Sequence, residues 1–480
     1  MNFKFVLLWT DAALWVMFLA IAGYAWRVLH HPDLRATWRK VLLDPAALCA
    51  GLVLLVFIAV TAVDSLHFRR ALPASAGQGD GKLYFDSRTE SLLDLVLARP
   101  LAMRETSYSE PLAYLANTKQ TVSRDGKTLR EFPRLLHGGA HLANPQSDWQ
   151  ADLWQRAALG LAGGLAVALG ASLFAAAMLR RSHGGVLAAW RDIAADRTRY
   201  PLRALLITLA AMCALAGPVV ALIGHYHVFG TDRTGNDVLV QTLKSVRTAF
   251  VIGMLASLAT LPIAVSLGIL AGYFKGWVDE LVQYLYTTLS SVPNVLLIAA
   301  CVLMVQVALD KHPEWFETGV ERSDLKVFLL CVILGVTGWA TLCRLVRAET
   351  FKLRELEFVQ AATAFGIPVP RIMGRHILPN VMHLVLITTV LNFSDLILYE
   401  AVLTYVGVGV DPSTSSFGGM INLARSEMSR DPVVWWSFAA AFTFMVGLVL
   451  AANLFADGVR DAFDPRSRAL RPRLGLRRPA

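Results

Sequence analysis

Six polar or ionisable residues lie in or near long apolar runs of this sequence, where such side chains are costly and are therefore candidates for function. They are Asp11, Asn294, Asn392, Asp395, Glu400 and Asn453. Acidic groups there could relay protons, but Asp395 and Glu400 stand five positions apart and do not share one face of a helix. No run carries a dense series of Asp, Glu and His, so we expect structural pairing or the lining of a cavity. The residues assigned to a pathway lining are Asn294, Asn392, Asp395 and Glu400.

Two further groups with chemical potential lie in a long polar stretch, residues 65–152. The histidines of HGGAH, His137 and His141, could ligate a metal, but histidines in a glycine-containing loop are more often ordinary loop residues. GQGDGK at 77–82 lacks the full spacing and the Ser or Thr of a phosphate-binding loop. The five cysteines show no CxxC spacing. The sequence therefore indicates no catalytic residue and no metal site.

The composition is that of a membrane protein. Of 480 residues, 55% are hydrophobic and 17% are charged, whereas soluble domains carry about 25% charged residues. The formal net charge is +9, but the arginines cluster in short segments between apolar runs and in the tail after residue 466. Such clusters orient a membrane protein by the positive-inside rule and do not indicate nucleic-acid binding.

Nine apolar runs are long enough to cross a bilayer, which takes about 20 residues per helix. They cover residues 3–26, 42–64, 153–179, 203–225, 247–273, 279–307, 326–346, 383–408 and 433–457. Pro262 and Pro293 lie inside two of them, and we expect each to cause a kink. The N-terminus lacks a basic region followed by a cleavage site, so we expect the first run to be retained. The arginine-rich loops all lie in the cytoplasm if the N-terminus is outside and the C-terminus inside.

Three polar segments lie outside the membrane in this topology. Residues 65–152 form an outer lobe, which we expect to touch a partner or to cap a pathway. In Phe229–Arg247, Asn236 or Asp237 can cap an apolar stripe, which predicts a short helix on the outer surface. Tyr405–Arg430 is rich in Gly and Ser and could line the mouth of a pathway.

The elbow, Phe358–Asn380, lies between two apolar runs on the cytoplasmic side of this topology. Gln360–Gly366 favours a helix that ends at a glycine. Pro368 and Pro370 forbid its simple continuation, and Arg371–Leu378 predicts a second short helix. A helical elbow at a membrane surface indicates docking to a partner.

Residues 229–466 resemble the permease subunits of binding-protein-dependent ABC importers, of the dipeptide/oligopeptide/nickel family. FGTDRTGNDVL, from Phe229, resembles the family's GTD-x-x-G-x-DVL signature, and AGYFKGWVDE, from Ala271, resembles its AGYxGGxxD turn. The elbow resembles the EAA loop, EAA-x3-G-x9-I-x-LP, with Gln360 in place of the glutamate. LTYVGVGVDPSTSSFGGMI and the ending DGVRDAFDPR resemble two further motifs, and this C-terminal pattern favours the C-type of the two permease partners.

The resemblance implies an all-α polytopic membrane protein, a type I ABC importer permease with a core of six helices, three extra N-terminal helices and an extracytoplasmic insert. The domains are then 1–64 with two membrane helices, 65–152 outside, 153–228 with two membrane helices and a basic loop, 229–466 as the permease core with a coupling loop at 349–381, and 467–480 as a basic tail. In an alternative arrangement, Thr37–Asp64 is the usual first span and 65–225 is an insertion.

The resemblance also implies partners. The elbow would dock in a groove of a cytoplasmic ATPase through Gln360, Ala361, Ala362, Phe365, Gly366, Ile367, Leu378 and Pro379. A B-type permease subunit, two such ATPases and a periplasmic substrate-binding protein would complete the transporter in the bacterial inner membrane. ATP and Mg²⁺ would bind to the ATPases, because this chain has no Walker motif and holds no cofactor itself. Peptides are the family's commonest cargo, with nickel, opines and modified peptides as alternatives.

Three other interpretations stay open. A proton-coupled secondary transporter would use Asp395 or Glu400, and a membrane-anchored enzyme would have its site in 65–152. An export permease is the third, but the C-type motifs favour import. The lobe shows no pattern of nucleophile and base that would support the enzyme.

Overall fold

The computed structural model describes residues 3–71, 85–86, 88–124 and 127–463. GQGDGK, the end of DGVRDAFDPR and the basic tail lie outside these residues. Within them, nine helices are long and apolar enough to cross a membrane, and the strands are short. The predicted class, an all-α polytopic membrane protein, is confirmed.

The helices follow one another along the described chain, joined by short turns and by the lobe. They are α1 (Trp9–His30), α2 (Pro32–Val41), α3 (Pro45–Asp64), α4 (Leu92–Val96), α5 (Ala98–Ala102), α6 (Pro145–His183), α7 (Val186–Ala194), α8 (Leu202–Leu222), α9 (Val238–Phe274), α10 (Gly276–Ser291), α11 (Asn294–Lys311), α12 (Gly319–Arg354), α13 (Glu357–Ala364), α14 (Val369–Ile372), α15 (Leu378–Tyr405), α16 (Phe417–Glu427) and α17 (Trp436–Phe463). The strands are β1 (Phe3–Val6), β2 (His67–Arg70), β3 (Glu90–Ser91), β4 (Gln120–Arg124) and β5 (Lys127–Glu131). They form an antiparallel sheet β1-β2-β3 and an antiparallel pair β4-β5.

The first predicted span, 3–26, is wrong at its beginning. Phe3–Val6 is strand β1, which pairs with β2, and α1 begins only at Trp9. The ring of Phe3 packs edge-on against Phe68, with 5.2 Å between the ring centroids. Strand β2, which provides the hydrogen-bond partners of β1, follows the second span in the chain. The local sequence pattern around β1 therefore could not reveal this pairing.

Helices α9 and α12 form the centre of the bundle and pack against each other along their length. A Cβ at Gly335 of α12 would lie 2.4 Å from the Cβ of Ala259. Nearer the elbow, a Cβ at Gly272 would lie 2.6 Å from the Cβ of Thr350. Small residues permit this close approach of two backbones, on which helix packing in a membrane depends. Helices α3, α15 and α17 pack around the central pair.

The second and fourth spans, α3 and α8, occupy different positions. Helix α8 packs mainly against α6, and a Cβ at Gly164 would lie 2.2 Å from the carbonyl oxygen of Cys213. Helix α3 lies against α9 and α17, where a Cβ at Gly458 would lie 2.3 Å from the Cβ of Ala47. Helix α3 is therefore part of the central bundle, and α6 and α8 form a separate hairpin beside it.

The predicted run 279–307 is two helices in the structure. Helix α10 ends at Ser291 and α11 begins at Asn294. Proline has no N–H for the helical ladder and disfavours helical geometry in the residue before it. Pro293 therefore breaks this run where we expected a kink.

The short surface helix predicted in Phe229–Arg247 is wrong. Asp237 caps a helix as expected, since its Oδ1 accepts a hydrogen bond from the N–H of Leu239 at 2.8 Å. That helix is α9, which continues to Phe274 and contains Pro262 in its interior. The outer segment and the following span thus form one rigid element.

The first half of the elbow agrees with the prediction. Gly366 has a φ of 71°, and α13 ends just before it. The N–H groups of Gly366 and Ile367 donate to the carbonyls of Thr363 and Ala362 at 3.0 and 3.1 Å. These two bonds are those of a Schellman cap, which favours glycine at the left-handed position.

The second half of the elbow departs from the prediction. The helix that follows Pro368 begins at Val369, and the separate short helix Arg371–Leu378 is wrong. A π-helical turn over Met373–Ile377 leads directly into α15. Pro379 has no N–H to donate to the hydrogen-bond ladder of the helix. The π turn before it has wider hydrogen-bond spacing and accommodates the missing donor, so the helix continues without a break. The elbow is therefore continuous with the span that ends at Tyr405.

Candidate coupling and binding sites

The predicted coupling residues of the elbow divide into an exposed surface and an anchor. Phe365 is 86% exposed, and Phe358 of the same elbow is 44% exposed, so the elbow presents apolar side chains on its surface. Ala362 is buried, and Ile367 and Leu378 pack partly buried against the helices behind them. The exposed members are Gln360, Ala361, Phe365, Gly366 and Pro379.

Several polar contacts fasten the elbow end of the bundle together. At the end of α12, Arg354 donates a hydrogen bond to the carbonyl oxygen of Tyr273, at the end of α9, at 2.6 Å. Arg347 of α12 forms an ion pair with Asp279 of α10. Ile377 is fully buried in an apolar cluster with residues of α9 and α12. At this end of the bundle, α9, α10, α12 and the elbow are therefore in contact with one another.

Gln360 makes a contact that a glutamate could not make. Its Nε2 donates a hydrogen bond to the carbonyl oxygen of Glu355 at 3.1 Å. Glu355 follows the last residue of α12, where carbonyl groups lack helical donors. The Gln360 amide thus donates a hydrogen bond to a carbonyl group at the end of α12, whereas the carboxylate of a glutamate could only accept one.

The four predicted pathway residues lie in different environments in the structure. Glu400 is fully buried and accepts a hydrogen bond from the hydroxyl of Thr404 at 2.8 Å. Asp395 is exposed, and Asn294 and Asn392 are half-buried. These four residues lie outside the linings of the two cavities described next.

Two cavities lie between the lobe and the core helices, with volumes of about 760 and 670 Å³. The walls of the first come from α1, α9, α12 and the strands of the lobe. The second lies between Pro100–Arg104 of the lobe, the beginning of α9 and the loop before α16. Both reach the segment Ser413–Ser415, within the stretch that was expected to line the mouth of a pathway.

A buried ionic cluster joins α1, α9 and α12 beside the first cavity. Arg247 Nη2 lies 2.5 Å from Asp11 Oδ1 and 3.7 Å from Asp324 Oδ1. His67 Nδ1 contacts the second oxygen of Asp11 at 2.7 Å, and the N–H of Thr10 donates to Asp324 at 2.9 Å. Of these residues, only Asp11 was predicted from the sequence as a candidate. An arginine inside the apolar pattern of α9 was the signal that could have indicated its partner.

A second buried cluster fastens the lobe to the beginning of α9. His227 is 1% exposed, and its ring nitrogens lie 2.9 Å from Asp237 and 3.4 Å from Glu105. The Glu105 carboxylate also accepts hydrogen bonds, at 2.8 to 3.0 Å, from the backbone N–H groups of Leu136, His137 and Gly138. The HGGAH segment therefore acts here through its backbone. Its other histidine, His141, pairs with Asp152 at 2.8 Å.

The charges of the second cluster stabilise one another. Burial raises the pKa of Glu105, but hydrogen bonds from His227 and the backbone outweigh it and lower that pKa to about 2. Burial lowers the pKa of His227, but its hydrogen bonds with Asp237 and Glu105 raise that pKa to about 9. His227 is therefore a cation at neutral pH, held between two carboxylates.

We expect the stabilisation by His227 to disappear in alkaline solution. Its ordinary pKa is about 6.5, and its pKa in the folded protein is about 9. The contribution is therefore complete below the lower value and is lost as the pH rises through the higher one. His227→Gln should lower the unfolding free energy by on the order of 3 kcal/mol at pH 6, and by much less at pH 10. Thermal unfolding of the purified protein across this pH range measures the difference.

His225→Gln is the matched control, two positions away in the same loop. Burial lowers the pKa of His225, so its ring is neutral in the folded protein. The difference in stability between His225→Gln and wild type should therefore not change as the pH rises above neutral. A difference between His227→Gln and wild type that stays constant from pH 6 to pH 10 would contradict the charged state of His227.

Comparison with known proteins places the chain in a family. The model of the family described as "Binding-protein-dependent transport system inner membrane component" matches residues 264–469. The oligopeptide transport system permease protein OppC of Mycobacterium tuberculosis (strain H37Rv) is 33% identical over 248 residues, 52% of this chain and 79% of the relative. OppC of Haemophilus influenzae is 31% identical over 243 residues, 51% of this chain and 71% of the relative. The dipeptide transport system permease protein DppC of Lactococcus lactis is 30% identical over 243 residues, 50% of this chain and 64% of the relative.

These matches confirm the predicted resemblance to ABC importer permeases. The relatives are transport permeases, so this chain is a transport subunit and not an enzyme. The family description and the nine apolar helices of the described residues make it a multi-pass inner membrane protein. The matched region contains the elbow and begins within α9, after the lobe. The chain belongs to the family of binding-protein-dependent transport system inner membrane components.

Proposed function

We propose that this chain forms half of the translocation pathway of an ATP-driven importer for peptides or related small solutes. The observation that carries the proposal is the elbow. It presents Phe365 beside the glycine cap at Gly366, on a helix that is anchored in the bundle through Ala362. The peptide substrate is supported by the names of the relatives, which are oligopeptide and dipeptide permeases.

In this mechanism the elbow transmits movement from a cytoplasmic ATPase to the membrane helices. An element that does so must be stiff and must be attached to more than one span. The elbow is continuous with α15 and is preceded by α12, and both helices run through the bundle. Closure of the ATPases around ATP would move the elbow as a rigid body and shift the bundle between inward-open and outward-open states.

The remaining partners follow from the same proposal. A B-type permease would supply the other half of the pathway, and two ATPases would hold the ATP and Mg²⁺. A periplasmic binding protein would deliver the solute at the lobe end, with the N-terminus outside and the C-terminus in the cytoplasm. The position of α3 beside α9 and α17 supports α3 as the first span of the permease core. Residues 65–225 would then be an insertion within that core.

The experiment that tests the function is reconstitution. The transporter is purified through a tag on this chain and assayed in proteoliposomes with radiolabelled trialanine. We expect an ATPase to co-purify, and we expect uptake that requires ATP and persists when a protonophore removes the proton gradient. Uptake without ATP that the protonophore abolishes would overturn the proposal in favour of a proton-coupled secondary transporter.

A further inference from the structure

The hairpin of α6 and α8 has little protein around it. Among the described residues, only 11% of the apolar stretch of α6 and 6% of that of α8 is buried, compared with 50% for α9 and for α12. The hairpin also precedes residues 264–469, the part of the chain that matches the family model. Most of the surface of this hairpin is therefore available to lipid when the chain is in a membrane.

The short helix α7 joins the two spans of the hairpin at the membrane surface. Residues 157–179 of α6 contain no charged side chain, and at 1.5 Å per residue they extend about 35 Å, close to the thickness of a bilayer core. Arg180, which ends this stretch, therefore lies at the level of the lipid headgroups, and α7 begins just beyond it at Val186. Ala189 and Ile193 of α7 are buried against α6 and α8, which holds α7 on the end of the hairpin.

The opposite side of α7 presents apolar side chains beside a basic one. Leu187 is 66% exposed and Trp190 is 41% exposed. Arg191 is also exposed and follows Leu187 by one helical turn, so the two side chains share a surface. A surface helix of this kind places its apolar residues among the acyl chains, and tryptophan is typical of that depth.

The arginines around α7 have no counter-charge within the described part of the chain. The exposed arginines of this stretch are Arg180, Arg181, Arg191, Arg197, Arg199 and Arg203. None of them forms an ion pair with another described residue, and the stretch contains only two acidic residues, Asp192 and Asp196. A guanidinium group binds phosphate through two parallel hydrogen bonds. At headgroup depth, the phosphates of anionic lipids are therefore suitable partners.

Helix α2 has similar charge but lacks the apolar surface. The spans α3 and α6 separate it from α7 in the chain, so the two short helices lie on the same side of the membrane. Its basic residues are Arg35, Arg39 and Lys40. However, its Trp38 packs against Phe463 of α17, with 5.8 Å between the ring centroids, and none of its large apolar side chains is exposed. Positive charge and exposed apolar side chains thus occur together on α7 and not on α2.

We propose that α7 and the arginines around it form a binding site for an anionic phospholipid. The headgroup phosphate binds the guanidinium groups at the end of α6 and on α7, and the acyl chains pack beside Leu187 and Trp190 and along the hairpin. A zwitterionic phospholipid offers the same acyl chains but no net charge to these arginines. All residues of the site precede α9, so the inference does not depend on the transported solute or on an ATPase.

The test is native mass spectrometry of the full-length protein, released from detergent micelles that contain added lipid. Dioleoyl phosphatidylglycerol is the anionic probe, and dioleoyl phosphatidylcholine has the same acyl chains without net charge. We expect wild type to bind the anionic lipid more tightly than the zwitterionic one, by about tenfold or more. Arg180→Gln/Arg181→Gln/Arg191→Gln should lose this preference and should bind phosphatidylcholine as wild type does.

The matched control removes the same number of positive charges from α2. Arg35→Gln/Arg39→Gln/Lys40→Gln should retain the preference of wild type for phosphatidylglycerol. An equal loss in the two variants would indicate general attraction to a basic membrane surface and would overturn the site. Equal binding of both lipids by wild type, or an unchanged preference in the folded α7 variant, would also overturn it. If that variant does not fold, Arg197→Gln/Arg199→Gln takes its place, with Arg35→Gln/Lys40→Gln as its control.

A competition experiment distinguishes a lipid from a soluble phosphate compound. Glycerol 3-phosphate carries the phosphate without acyl chains, and in large excess it should not displace phosphatidylglycerol from wild type. Leu187→Ser/Trp190→Ser removes the apolar contact and should weaken the binding of phosphatidylglycerol. Displacement by glycerol 3-phosphate would assign the arginines to a soluble phosphate compound and overturn the proposal. Unchanged lipid binding by Leu187→Ser/Trp190→Ser would contradict the part assigned to the acyl chains and would likewise overturn it.

Discussion

Replacement of Gly366 by glutamate is expected to abolish ATP-driven uptake, a loss of about tenfold or more, while the protein remains in the membrane. Gly366 has a φ of 71°, a left-handed conformation that costs an L-residue about 1–2 kcal/mol. A Cβ there would meet nothing within 4 Å in this chain. The added carboxylate would therefore project toward whatever docks beside Phe365. Uptake of radiolabelled trialanine by intact cells, with an immunoblot of their membranes, measures transport and insertion together.

Gly276→Glu is the matched control for this variant. Gly276 lies at the same end of the bundle, as the first residue of α10, and it also has a positive φ, 57°. A Cβ there likewise meets nothing within 4 Å. The control therefore introduces the same strain and the same charge outside the elbow. Normal uptake by Gly366→Glu, or an equal loss in both variants, would show that the elbow does not couple transport to the ATPase.

Local signals predicted the elements that depend on nearby residues. The glycine cap at Gly366 follows from the helix-favouring run before it and the prolines after it, because all the atoms of the cap lie within a few residues. The nine spans follow from hydropathy, because the length needed to cross a bilayer is a property of each run alone. Pro293 and Pro379 show the limit of such signals. Both prolines lack a backbone N–H, but Pro293 separates two helices and Pro379 lies within a continuous one.

Contacts between segments that are far apart in the chain could not be predicted from the sequence. Strand β1 pairs with β2 across two spans, and Glu105 receives the amides of HGGAH and the ring of His227 from separate loops. The motif around Asp237 indicated a helix cap. Only the structure shows that His227 lies between this cap residue and Glu105 of the lobe. A pattern read along the chain reports periodicity and capping, but it does not report which charges face each other in three dimensions.

We also expect Arg247→Leu to be among the most destabilising substitutions in the chain. The variant leaves the buried carboxylates of Asp11 and Asp324 without their shared cation, and removal of one partner from such a buried pair costs about 3–5 kcal/mol. Thermal unfolding of the purified protein should show a lower Tm, and α1 should become accessible to protease, because this cluster joins it to α9 and α12.

The triple variant Arg247→Leu/Asp11→Asn/Asp324→Asn distinguishes charge from packing at this site. It removes the cation and both carboxylates, and the asparagine at 324 can still accept the N–H of Thr10. If unpaired charge is the cause, the triple variant should recover most of the stability that Arg247→Leu loses, because a neutral buried group costs far less than an unpaired ion. Lys244→Leu breaks a more exposed pair on the same helix, 29% exposed at the lysine, and should cost only about 0–1 kcal/mol. Equal losses in Arg247→Leu and the triple variant would assign the effect to lost packing of the arginine side chain, and α1 would then be held by shape and not by charge.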